Sequence, residues 1–543
     1  MIKHCFHCAT VRVVCLLAIA TVLTGIVGCQ SHTDQAGMYG GAYNYLPAGT
    51  AFVDVSADFQ EESSAFFGLP PGFNTEEYKT YDENRFLAVA SHPLSTFGAD
   101  VDTASYANVR RMIMQQNRRP PKDAVRIEEF INYFSYHYPQ PEGDAPFAAT
   151  FEMGECPWNP AHQLLLIGIQ GKSIPLDDLP PSNYVFLLDN SGSMSGEMPL
   201  LRESMTLLAA TLRPQDKLSI VTYAGSVKTL LDSVGGSDQK TIKAVLSQLT
   251  SSGFTPGGQG IVTAYDLAVK NFIKGGNNRV ILVTDGDFNV GVSSESELIS
   301  LIEAKRDTGV YLTTIGMGTG NYKDNKMKMF ANKGNGNYIY LDSLREARHA
   351  LINEMTGRMF TLAKDVKFQL EFNPAHIFGY RLIGYELRNL DNRDFNDDAK
   401  DSGEVGVGHS VTALYELVMA DAPDEAKTIV TGNVDPLKYQ NATAPVAAEA
   451  SGELLTFKLR YQEPEGNAPS TLLTFVLPAV PPQTENWHWA SAVAEFALLL
   501  RDSAFKGSAD YDALRQRAGH HLGTDPEGLR AEFLALVAAA KRH

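Results

Sequence analysis

The sequence predicts a doubly wound α/β domain, accompanied by a small N-terminal helical module, a β-rich domain and C-terminal helices. Short apolar segments alternate with amphipathic helices between residues 183 and 357. This alternation is typical of a parallel sheet that is covered by helices on both faces. Beyond residue 358 the hydrophobic period changes to two, which indicates strands with one buried face. Helical periodicity returns after residue 480.

The composition is that of a folded, acidic protein. The chain has 543 residues, of which 44% are hydrophobic and 20% are charged, and this excludes wholesale disorder. The 46 basic and 63 acidic residues give a net charge of −17. No basic surplus is available to neutralise phosphates, so the charge disfavours a nucleic-acid-binding protein. The mean hydropathy of −0.16 excludes a polytopic membrane protein.

The N-terminal segment predicts export. Lys3 and Arg12 form a basic region, and the stretch from Val13 to Val27 is apolar and uncharged. This stretch is shorter than the roughly 20 residues of a membrane-spanning helix, so we interpret it as a signal peptide. It ends in Ile26-Val27-Gly28-Cys29, which resembles a bacterial lipobox. An ordinary signal peptide followed by a chance cysteine is the alternative.

The lipobox resemblance implies cleavage before Cys29 and acylation of its thiol by fatty acids such as palmitate. The mature protein would then be tethered to the lipid bilayer. Gln30, rather than an aspartate, follows the cysteine, which in such lipoproteins implies the outer membrane, facing the periplasm. Besides Cys29, only Cys156 remains in the mature chain, so no intramolecular disulfide is expected there.

Changes of composition and hydrophobic period divide the chain into seven segments. The two strands predicted before the α/β domain, at 147–153 and 164–169, cannot bury themselves alone. We therefore expect them to complete the β-rich domain, so that the α/β domain is an insertion within it. The predicted segments are a signal peptide at 1–28, a flexible tether at 29–83, a helical module at 84–146, two strands of the β-rich domain within 147–182, the α/β domain at 183–357, the β-rich domain at 358–480 and helices at 481–543.

The α/β domain begins with an apolar strand at 184–188, and its strand at 280–284 is almost wholly apolar. Such runs are typical of parallel strands that are buried on both faces. A helix at 197–212 has an apolar face, as expected for a helix that packs on the sheet. Further strands are predicted at 218–223, 311–316 and 338–340, and further helices at 238–249, 260–272, 295–305, 324–331 and 344–355.

The strands of the β-rich region and the helices outside the α/β domain are predicted from the period of their hydrophobic residues. Residues 366–372 alternate apolar and polar side chains, as in a strand with one buried face. Other strands are predicted at 380–390, 411–418, 454–461 and 472–477, and helices from Tyr106 to Ile113 and at 125–136, 487–500, 511–518 and 526–540.

The strongest chemical signal lies at the carboxyl end of the first α/β strand. Asp189, Ser191 and Ser193 alternate in one short turn, so their side chains can face a common ion. Ligands in open α/β sheets gather at this edge. Thr255, on a glycine-rich loop, and Asp285, at the end of the most apolar strand, should reach the same edge. Hydroxyl and carboxylate oxygens are hard ligands that suit Mg²⁺ or Ca²⁺.

The pattern Asp189-x-Ser191-x-Ser193, followed by Thr255 and Asp285, resembles the metal-ion-dependent adhesion site of a von Willebrand factor type A domain. The resemblance covers about residues 183–355. It implies three hydroxyl ligands, two of them often direct, and two carboxylates that act mostly through water. It also implies Mg²⁺, with Ca²⁺ or Mn²⁺ as alternatives, and an open coordination position that accepts an acidic side chain of a partner protein. A capping turn that binds no metal is the other interpretation.

Motifs before, within and after this domain resemble the bacterial YfbK-type lipoproteins. The resemblance extends over most of the mature chain and implies an architecture rather than a biochemical role. The motifs are Asp100-Val101-Asp102-Thr103-Ala104-Ser105-Tyr106, Asp285-Gly286-Asp287-Phe288-Asn289-Val290-Gly291, Gly334-Asn335-Gly336-Asn337-Tyr338 and Gly408-His409-Ser410-Val411-Thr412-Ala413-Leu414-Tyr415-Glu416.

Together these features predict a membrane-anchored, metal-dependent module for protein binding, adhesion or assembly in the cell envelope, and not an enzyme. Near-matches to catalytic motifs fail. The P-loop-like end Gly171-Lys172-Ser173 has Leu166 where the first glycine is required, and Met194 occupies the place of the nucleophile in a GxSxG-like turn. Two alternatives stay open. They are a structural adaptor with a vestigial metal site and a metal-dependent hydrolase, which would lack a histidine among the five site residues.

Two further features favour structural interpretations. Asp394, Asn396 and Asp398 have the spacing of a calcium loop, but the turn glycine of such a loop is missing. The acidic segment 391–404 is therefore interpreted as a solvated loop. His409 follows a glycine and is interpreted as a turn residue rather than as a ligand or a base.

Overall fold

The computed structural model describes residues 76–99, 102–253, 257–286, 294–320, 322–400, 402–431, 451–464, 469–478 and 483–543. These residues belong to one compact unit, Pro70–His543. The predicted signal peptide, Cys29, Thr255 and most of the predicted tether lie outside the described residues. Within the described part, no helix combines the length and the apolar character that crossing a bilayer requires.

The strands and helices follow in chain order. The strands are β1 Leu87–Ala88, β2 Leu94–Gly98, β3 Phe147–Glu155, β4 Gln163–Gly171, β5 Ser182–Asp189, β6 Lys217–Ala224, β7 Ser226–Gly235, β8 Asn277–Thr284, β9 Val310–Gly316, β10 Tyr338–Tyr340, β11 Thr361–Phe372, β12 Ile377–Ile383, β13 Gly403–Gly406, β14 Ser410–Met419, β15 Leu455–Gln462 and β16 Thr471–Leu477. The helices are α1 Ala104–Arg110, α2 Ile127–Ile131, α3 Met198–Ala210, α4 Gln239–Ser247, α5 Gly257–Lys270, α6 Glu295–Asp307, α7 Asp324–Lys333, α8 Leu344–Arg348, α9 Met355–Met359, α10 Asp424–Thr431, α11 Glu485–Arg501, α12 Tyr511–Gly519 and α13 Leu529–Ala540.

The α/β domain is a doubly wound sheet in the order β10-β9-β8-β5-β6-β7. Strands β10, β9, β8, β5 and β6 are parallel, and β7 is added antiparallel to β6 at one edge. Every residue of β5 is buried, as its apolar sequence predicts. Strand β5 lies between β6 and β8, so the order in which the chain adds strands reverses beside it. Open α/β sheets bind ligands at such a reversal, at the carboxyl ends of the strands.

Helices cover both faces of this sheet. On one face, Phe186 and Leu188 of β5 share a hydrophobic core with α3, α4 and α8. On the other face, Val185 and Leu187 pack with α5, α6 and α7. Successive strand residues point to opposite faces, so the uninterrupted apolar run of β5 supplies both cores. This arrangement confirms the predicted fold class.

The β-rich domain consists of two facing sheets, β1-β12-β14-β4-β3 and β13-β11-β15-β16, and β2 also pairs with β11. Side chains of both sheets form one core. Phe147 of β3 packs against Tyr461 of β15, with ring centroids 5.4 Å apart, and Phe151 packs against Phe457 at 5.8 Å. The strands before the α/β domain therefore complete the β-rich domain, which confirms that the α/β domain is inserted in it.

The N-terminal and C-terminal helices share a fourth core, to which α1, α2, α11, α12 and α13 contribute. Phe134 packs edge-on against Trp489 of α11 and Phe533 of α13, with ring centroids 5.3 and 5.7 Å apart. The aromatic residues near Phe134 thus serve to pack two distant parts of the chain together. Helix α1 continues as one π-helical turn, Arg111–Gln115.

Buried ion pairs join this helical core to the α/β domain. Arg126 precedes α2 and donates to both carboxylate oxygens of Asp324 on α7, at 2.7 and 3.1 Å, and also to Glu129. Lys328 of α7 in turn pairs with Asp102 and Glu129, at 3.0 and 2.6 Å. All five side chains are buried, so their charges are compensated mainly by one another.

Several predicted boundaries differ from the structure. The segment 84–146, predicted to be helical, starts with β1 and β2, and β2 is recruited as a partner of β11. Residues 76–83, predicted as part of the flexible tether, instead include a buried anchor, because the carboxylate of Glu76 pairs with Arg111 and Arg118 at 3.1 and 2.9 Å.

Three further strands of the structure were not predicted or were predicted too long. Strand β12 stops at Ile383 rather than at residue 390, because Gly384 and Tyr385 turn the chain with φ of +75° and +61°. Strand β13 occupies the end of the predicted acidic loop. Strand β7 has an irregular pattern of exposure, so it carries no clear period of two.

Candidate functional site

Asp189 is the last residue of β5 and is fully buried at the carboxyl edge of the sheet. Its position follows from the apolar run before it, which carries the chain through the centre of the sheet and ends at this carboxylate. A tight turn at Gly192–Ser195 then leads into α3. The predicted site therefore starts between the two neighbouring strands β6 and β8.

Three hydrogen bonds orient the Asp189 carboxylate. Its Oδ1 accepts from the backbone N–H of Ser191 at 2.9 Å. Its Oδ2 accepts from the hydroxyl of Tyr223, near the end of β6, at 3.1 Å and from Oγ1 of Thr284, the last residue of β8, at 2.9 Å. The two neighbouring strands thus fix the side chain that ends the central one.

The serine hydroxyls lie together beside this carboxylate. The Oγ atoms of Ser191 and Ser193 are 3.0 Å apart. Ser191 is buried, whereas Ser193 is exposed, so the pair leads from the buried carboxylate to the surface. This short separation agrees with the sequence-based expectation that alternate residues of the turn project toward a common point.

The loop that precedes α5 is attached to the same turn. The backbone N–H of Gly192 donates to the carbonyl of Gly253 at 3.1 Å, and the N–H of Ser252 donates to the carbonyl of Asn190 at 2.7 Å. Gly253 has a φ of +79°, a conformation that favours glycine. These bonds hold the described part of the loop against the turn that carries Ser191 and Ser193, which we call the serine turn. Thr255 itself lies outside the described residues.

Asp285 follows β8 directly and is half-buried. Burial raises the pKa of Asp189, and the charge of Asp285 raises it further, against the hydrogen bonds from Ser191 and Thr284. Burial also raises the pKa of Glu197. The charge of Arg111 opposes this shift, and the charge of Asp285 adds to it. The three acids therefore form a region of negative potential at the edge of the sheet.

A glycine loop after β9 closes this region on one side. A Cβ at Gly318 would lie 3.2 Å from Cβ of Asp285 and 3.5 Å from Cγ of Glu197, and Gly318 has a φ of +82°. A larger residue would be strained and would crowd the two acids. Gly318, Tyr223, Thr284 and Glu197 were not predicted as part of the site, although three of them lie at or just after strand ends, where ligands gather.

The donor set suits a hard divalent cation. Asp189 forms no ion pair with any basic side chain in the part of the chain that the structure describes. The same described residues contain no cluster of three or more His, Cys, Asp or Glu side chains that could hold a metal, so a bound ion would depend on hydroxyl oxygens as well as carboxylates. Such oxygen ligands are typical of Mg²⁺ and Ca²⁺ sites. The assignment of these residues as metal ligands remains a prediction.

The other two candidate features lie in loops of the β-rich domain. In the acidic loop, Asp398 accepts hydrogen bonds from Ser470 and Arg460 at 2.6 and 3.1 Å, and Asp394 faces Lys400 at 3.7 Å. These basic and hydroxyl partners are those of a solvated loop. His409 lies in the turn between β13 and β14, where its backbone N–H donates to the backbone carbonyl of Gly406 at 3.1 Å.

Comparison with known families agrees with this geometry. A family model described as von Willebrand factor type A domain matches residues 183–354, and one described as von Willebrand factor matches residues 72–166. A third, described as uncharacterized protein YfbK, C-terminal, matches residues 357–542. The three matches together cover most of the described residues.

Individual proteins extend the comparison. Uncharacterized protein YfbK of Escherichia coli (strain K12) is 40% identical over 476 residues, which are 86% of this chain and 81% of that protein. Uncharacterized protein sll0103 of Synechocystis sp. is 24% identical over 34% of this chain and 43% of its own length. A solved structure, von Willebrand factor type A from Catenulispora acidiphila, covers 73% of this chain and 88% of its own, with 14% identity and a TM-score of 0.38.

Proposed function

The chain belongs to the YfbK-like family of von Willebrand factor type A domain proteins, and on this premise we propose that it is a metal-dependent protein-binding module of the bacterial cell envelope. Domains of this type are generally interaction modules and commonly bind a metal ion. The proposal covers adhesion or assembly with a protein partner that presents an acidic side chain. It assigns no catalytic activity.

The observation that carries the proposal is the buried Asp189 carboxylate beside the hydroxyls of Ser191 and Ser193. The ion would be held by these hydroxyls and by that of Thr255, with Asp189 and Asp285 acting mainly through water. We propose Mg²⁺, with Ca²⁺ or Mn²⁺ as alternatives, because hydroxyls and few carboxylates suit a hard cation that keeps several waters. When bound, the ion would supply a positive charge at the exposed end of the serine turn, where an acidic side chain could bind.

The two alternatives differ from this proposal in a measurable way. A structural adaptor with a vestigial metal site would bind its partner equally well after divalent ions are removed. A metal-dependent hydrolase would turn over a substrate at the same site, but none of the five proposed ligands is a histidine that could serve as its base. The binding module therefore remains the favoured function.

The partner experiment uses the full chain immobilised and exposed to envelope extract, with Mg²⁺ or with EDTA. We expect capture of a protein partner in Mg²⁺ and its loss both in EDTA and in Asp189→Ala. Asp424→Ala is the matched control, because its carboxylate is 99% exposed and far along the chain. Capture in EDTA that equals capture in Mg²⁺ would favour the adaptor, whereas turnover in a panel of ester and phosphoester substrates would favour the hydrolase.

We also propose that the module is anchored in the outer membrane, facing the periplasm, through an acylated Cys29. The proposal is supported by the lipobox-like sequence before Cys29 and by Gln30 after it. Cys29→Ser should accumulate as an uncleaved precursor or as a product that is not membrane-bound, when envelope fractions are separated. A variant that is still processed and recovered with the outer membrane would refute the anchoring, while leaving the metal-dependent binding to be judged by the partner experiment.

A further inference from the structure

Two buried arginines lie at the end of the α/β domain opposite to the proposed metal site. Arg279 is near the start of β8, and Arg358 lies in α9, which connects the α/β domain to β11; each is only 2% exposed. Thr284, beside the metal site, is five residues further along β8, or about 16 Å at roughly 3.3 Å per residue. The arginines therefore belong to a different region of the molecule.

Neither guanidinium is fully paired within the protein. Arg279 donates from Nη1 to the hydroxyl of Thr313 at 2.8 Å, and Arg358 donates from Nη2 to the hydroxyl of Thr103 at 3.0 Å. Nε of Arg279 and both Nε and Nη1 of Arg358 are buried without an acceptor among the described residues. Within the same part of the chain, neither arginine forms an ion pair. Unpaired buried charge is costly, so two such groups in one place are unusual for packing alone.

Both arginines line the same small cavity, together with Asn335 and Thr361. Its volume of about 10 Å³ has room for one water-sized group, such as one carboxylate oxygen. Glu404 also lines it, and its charge acts on Arg279, whose pKa is lowered mainly by burial. Two arginines and one glutamate give a local charge of about +1, which matches a monoanion better than a phosphate dianion.

This small cavity adjoins a larger cleft between the α/β and β-rich domains. The two share Asn335, Phe360 and Thr361 in their walls, and the cleft has a volume of about 980 Å³. Volumes of roughly 300 to 1,000 Å³ are typical of small-molecule sites. Apolar side chains form much of the wall, among them Phe272, Phe360 and Leu179.

We propose that the cleft binds a monocarboxylate with an apolar tail, whose carboxylate is held by Arg279 and Arg358 while the tail lies along Phe272 and Phe360. Guanidinium groups are well suited to carboxylates because hydrogen bonds between their charged N–H donors and a carboxylate oxygen are short and strong. A free organic acid and the C-terminus of an apolar peptide have this chemistry in common. The site is independent of the proposed metal-dependent function.

Calorimetric titration of the full chain tests the proposal. The probes are hexanoate, hexanol, sodium chloride and a tripeptide ending in Phe, with its C-terminus either free or amidated. We expect hexanoate or the free peptide to bind at least tenfold more tightly than hexanol or the amidated peptide. If hexanoate binds more tightly than the free peptide, the ligand is an organic acid. If the free peptide binds more tightly, the ligand is the C-terminus of an apolar peptide.

Variants locate the binding. Arg279→Gln and Arg358→Gln should each weaken carboxylate binding at least tenfold, whereas Arg393→Gln, which removes the same charge from a side chain 84% exposed, should leave it unchanged. Both glutamine variants should stay folded in a thermal melt, because each removes an incompletely paired buried charge. Phe272→Ser, at a residue 42% exposed, tests the tail separately and should weaken hexanoate binding even if an arginine variant does not fold.

Three results would overturn the proposal. The first is that no carboxylate probe binds. The second is that chloride displaces hexanoate at equal concentration, since this would make the cavity a halide site. The third is that Arg279→Gln, Arg358→Gln and Phe272→Ser all bind hexanoate as tightly as the unaltered chain.

Discussion

Thr284 donates a hydrogen bond of 2.9 Å from Oγ1 to Oδ2 of Asp189, although 95 residues separate the two in the chain. The contact exists because β5 and β8 are parallel neighbours with Leu188 opposite Val283. The next residues of both strands, Asp189 and Thr284, consequently meet at the carboxyl edge. The orientation of the principal acid of the site is therefore set by sheet register, with Tyr223 of β6 as a second donor.

Thr284→Val should weaken Mg²⁺ binding by about tenfold, because residues that orient metal ligands typically contribute 10- to 100-fold to affinity. The change keeps the shape of the side chain and removes the bond to Asp189. Isothermal titration with Mg²⁺ measures the effect. Thr222→Val is the control, since Thr222 is also buried in a central strand of the same sheet. Equal affinities for the two variants would mean that the hydroxyl of Thr284 does not position the acid.

Millimolar Mg²⁺ should raise the melting temperature of the full chain, because an ion that binds only the folded state stabilises it by about 2.7 kcal/mol at 100 times its Kd. Asp189→Ala and Asp285→Ala should each abolish this increase. Melted in EDTA, Asp285→Ala should be as stable as the unaltered chain or slightly more so, because it removes a charge that, in addition to burial, disfavours the ionised form of Asp189. A melting temperature of the unaltered chain that does not respond to Mg²⁺ would contradict the proposed metal site.

Arg126→Met should lower the free energy of unfolding by about 3 to 5 kcal/mol, because it leaves the buried carboxylate of Asp324 without its ion-pair partner and removes one of the two cations that pair with Glu129. Adding Asp324→Asn should recover part of the loss, since it removes one of the uncompensated charges. Denaturant unfolding followed by tryptophan fluorescence measures both. Lys541→Met, which breaks an exposed pair with Asp512, should have no measurable effect. A double variant no more stable than Arg126→Met would mean that the lost stability is due to packing.

His409 should make the protein less stable as the pH falls from about 6.5 to about 4. Burial, together with the charge of Arg358 and against that of Glu354, lowers the pKa of His409 to about 4. An unfolded histidine has a pKa of about 6.5, so between these values the unfolded state binds a proton that the folded state does not. Stability from this group is present above about pH 6.5 and is lost toward pH 4, by up to about 3 kcal/mol at 1.36 kcal/mol per pKa unit.

The comparison of His409→Gln with the unaltered chain measures this contribution, as the difference in unfolding free energy at pH 7 and at pH 4.5. The variant should lose less stability over that interval. His137→Gln is the control, because His137 is exposed. The same loss in all three proteins would show that His409 is not the group responsible.

The strands of the α/β domain could be predicted because parallel strands that are buried on both faces carry continuous apolar runs, as at Val185–Leu188 of β5 and Val280–Val283 of β8. Strand β7 could not, since an edge strand with one neighbour needs no such pattern. Strand β2 escaped prediction for another reason. It has five residues, and its partner β11 lies more than 260 residues further along the chain, so its pairing leaves little trace in the local sequence.

The sequence by itself determined the order of the domains, the parallel central sheet and the motif from Asp189 to Ser193, because each depends on neighbouring residues and their periodicity. Only the tertiary structure decided which side chains surround that motif. Tyr223 and Thr284 donate to Asp189 because of strand register, and Arg279 and Arg358 share a cavity because the β-rich domain continues directly from α9. Such contacts join residues tens of positions apart, and their geometry is fixed by packing of the whole sheet rather than by local conformational preference.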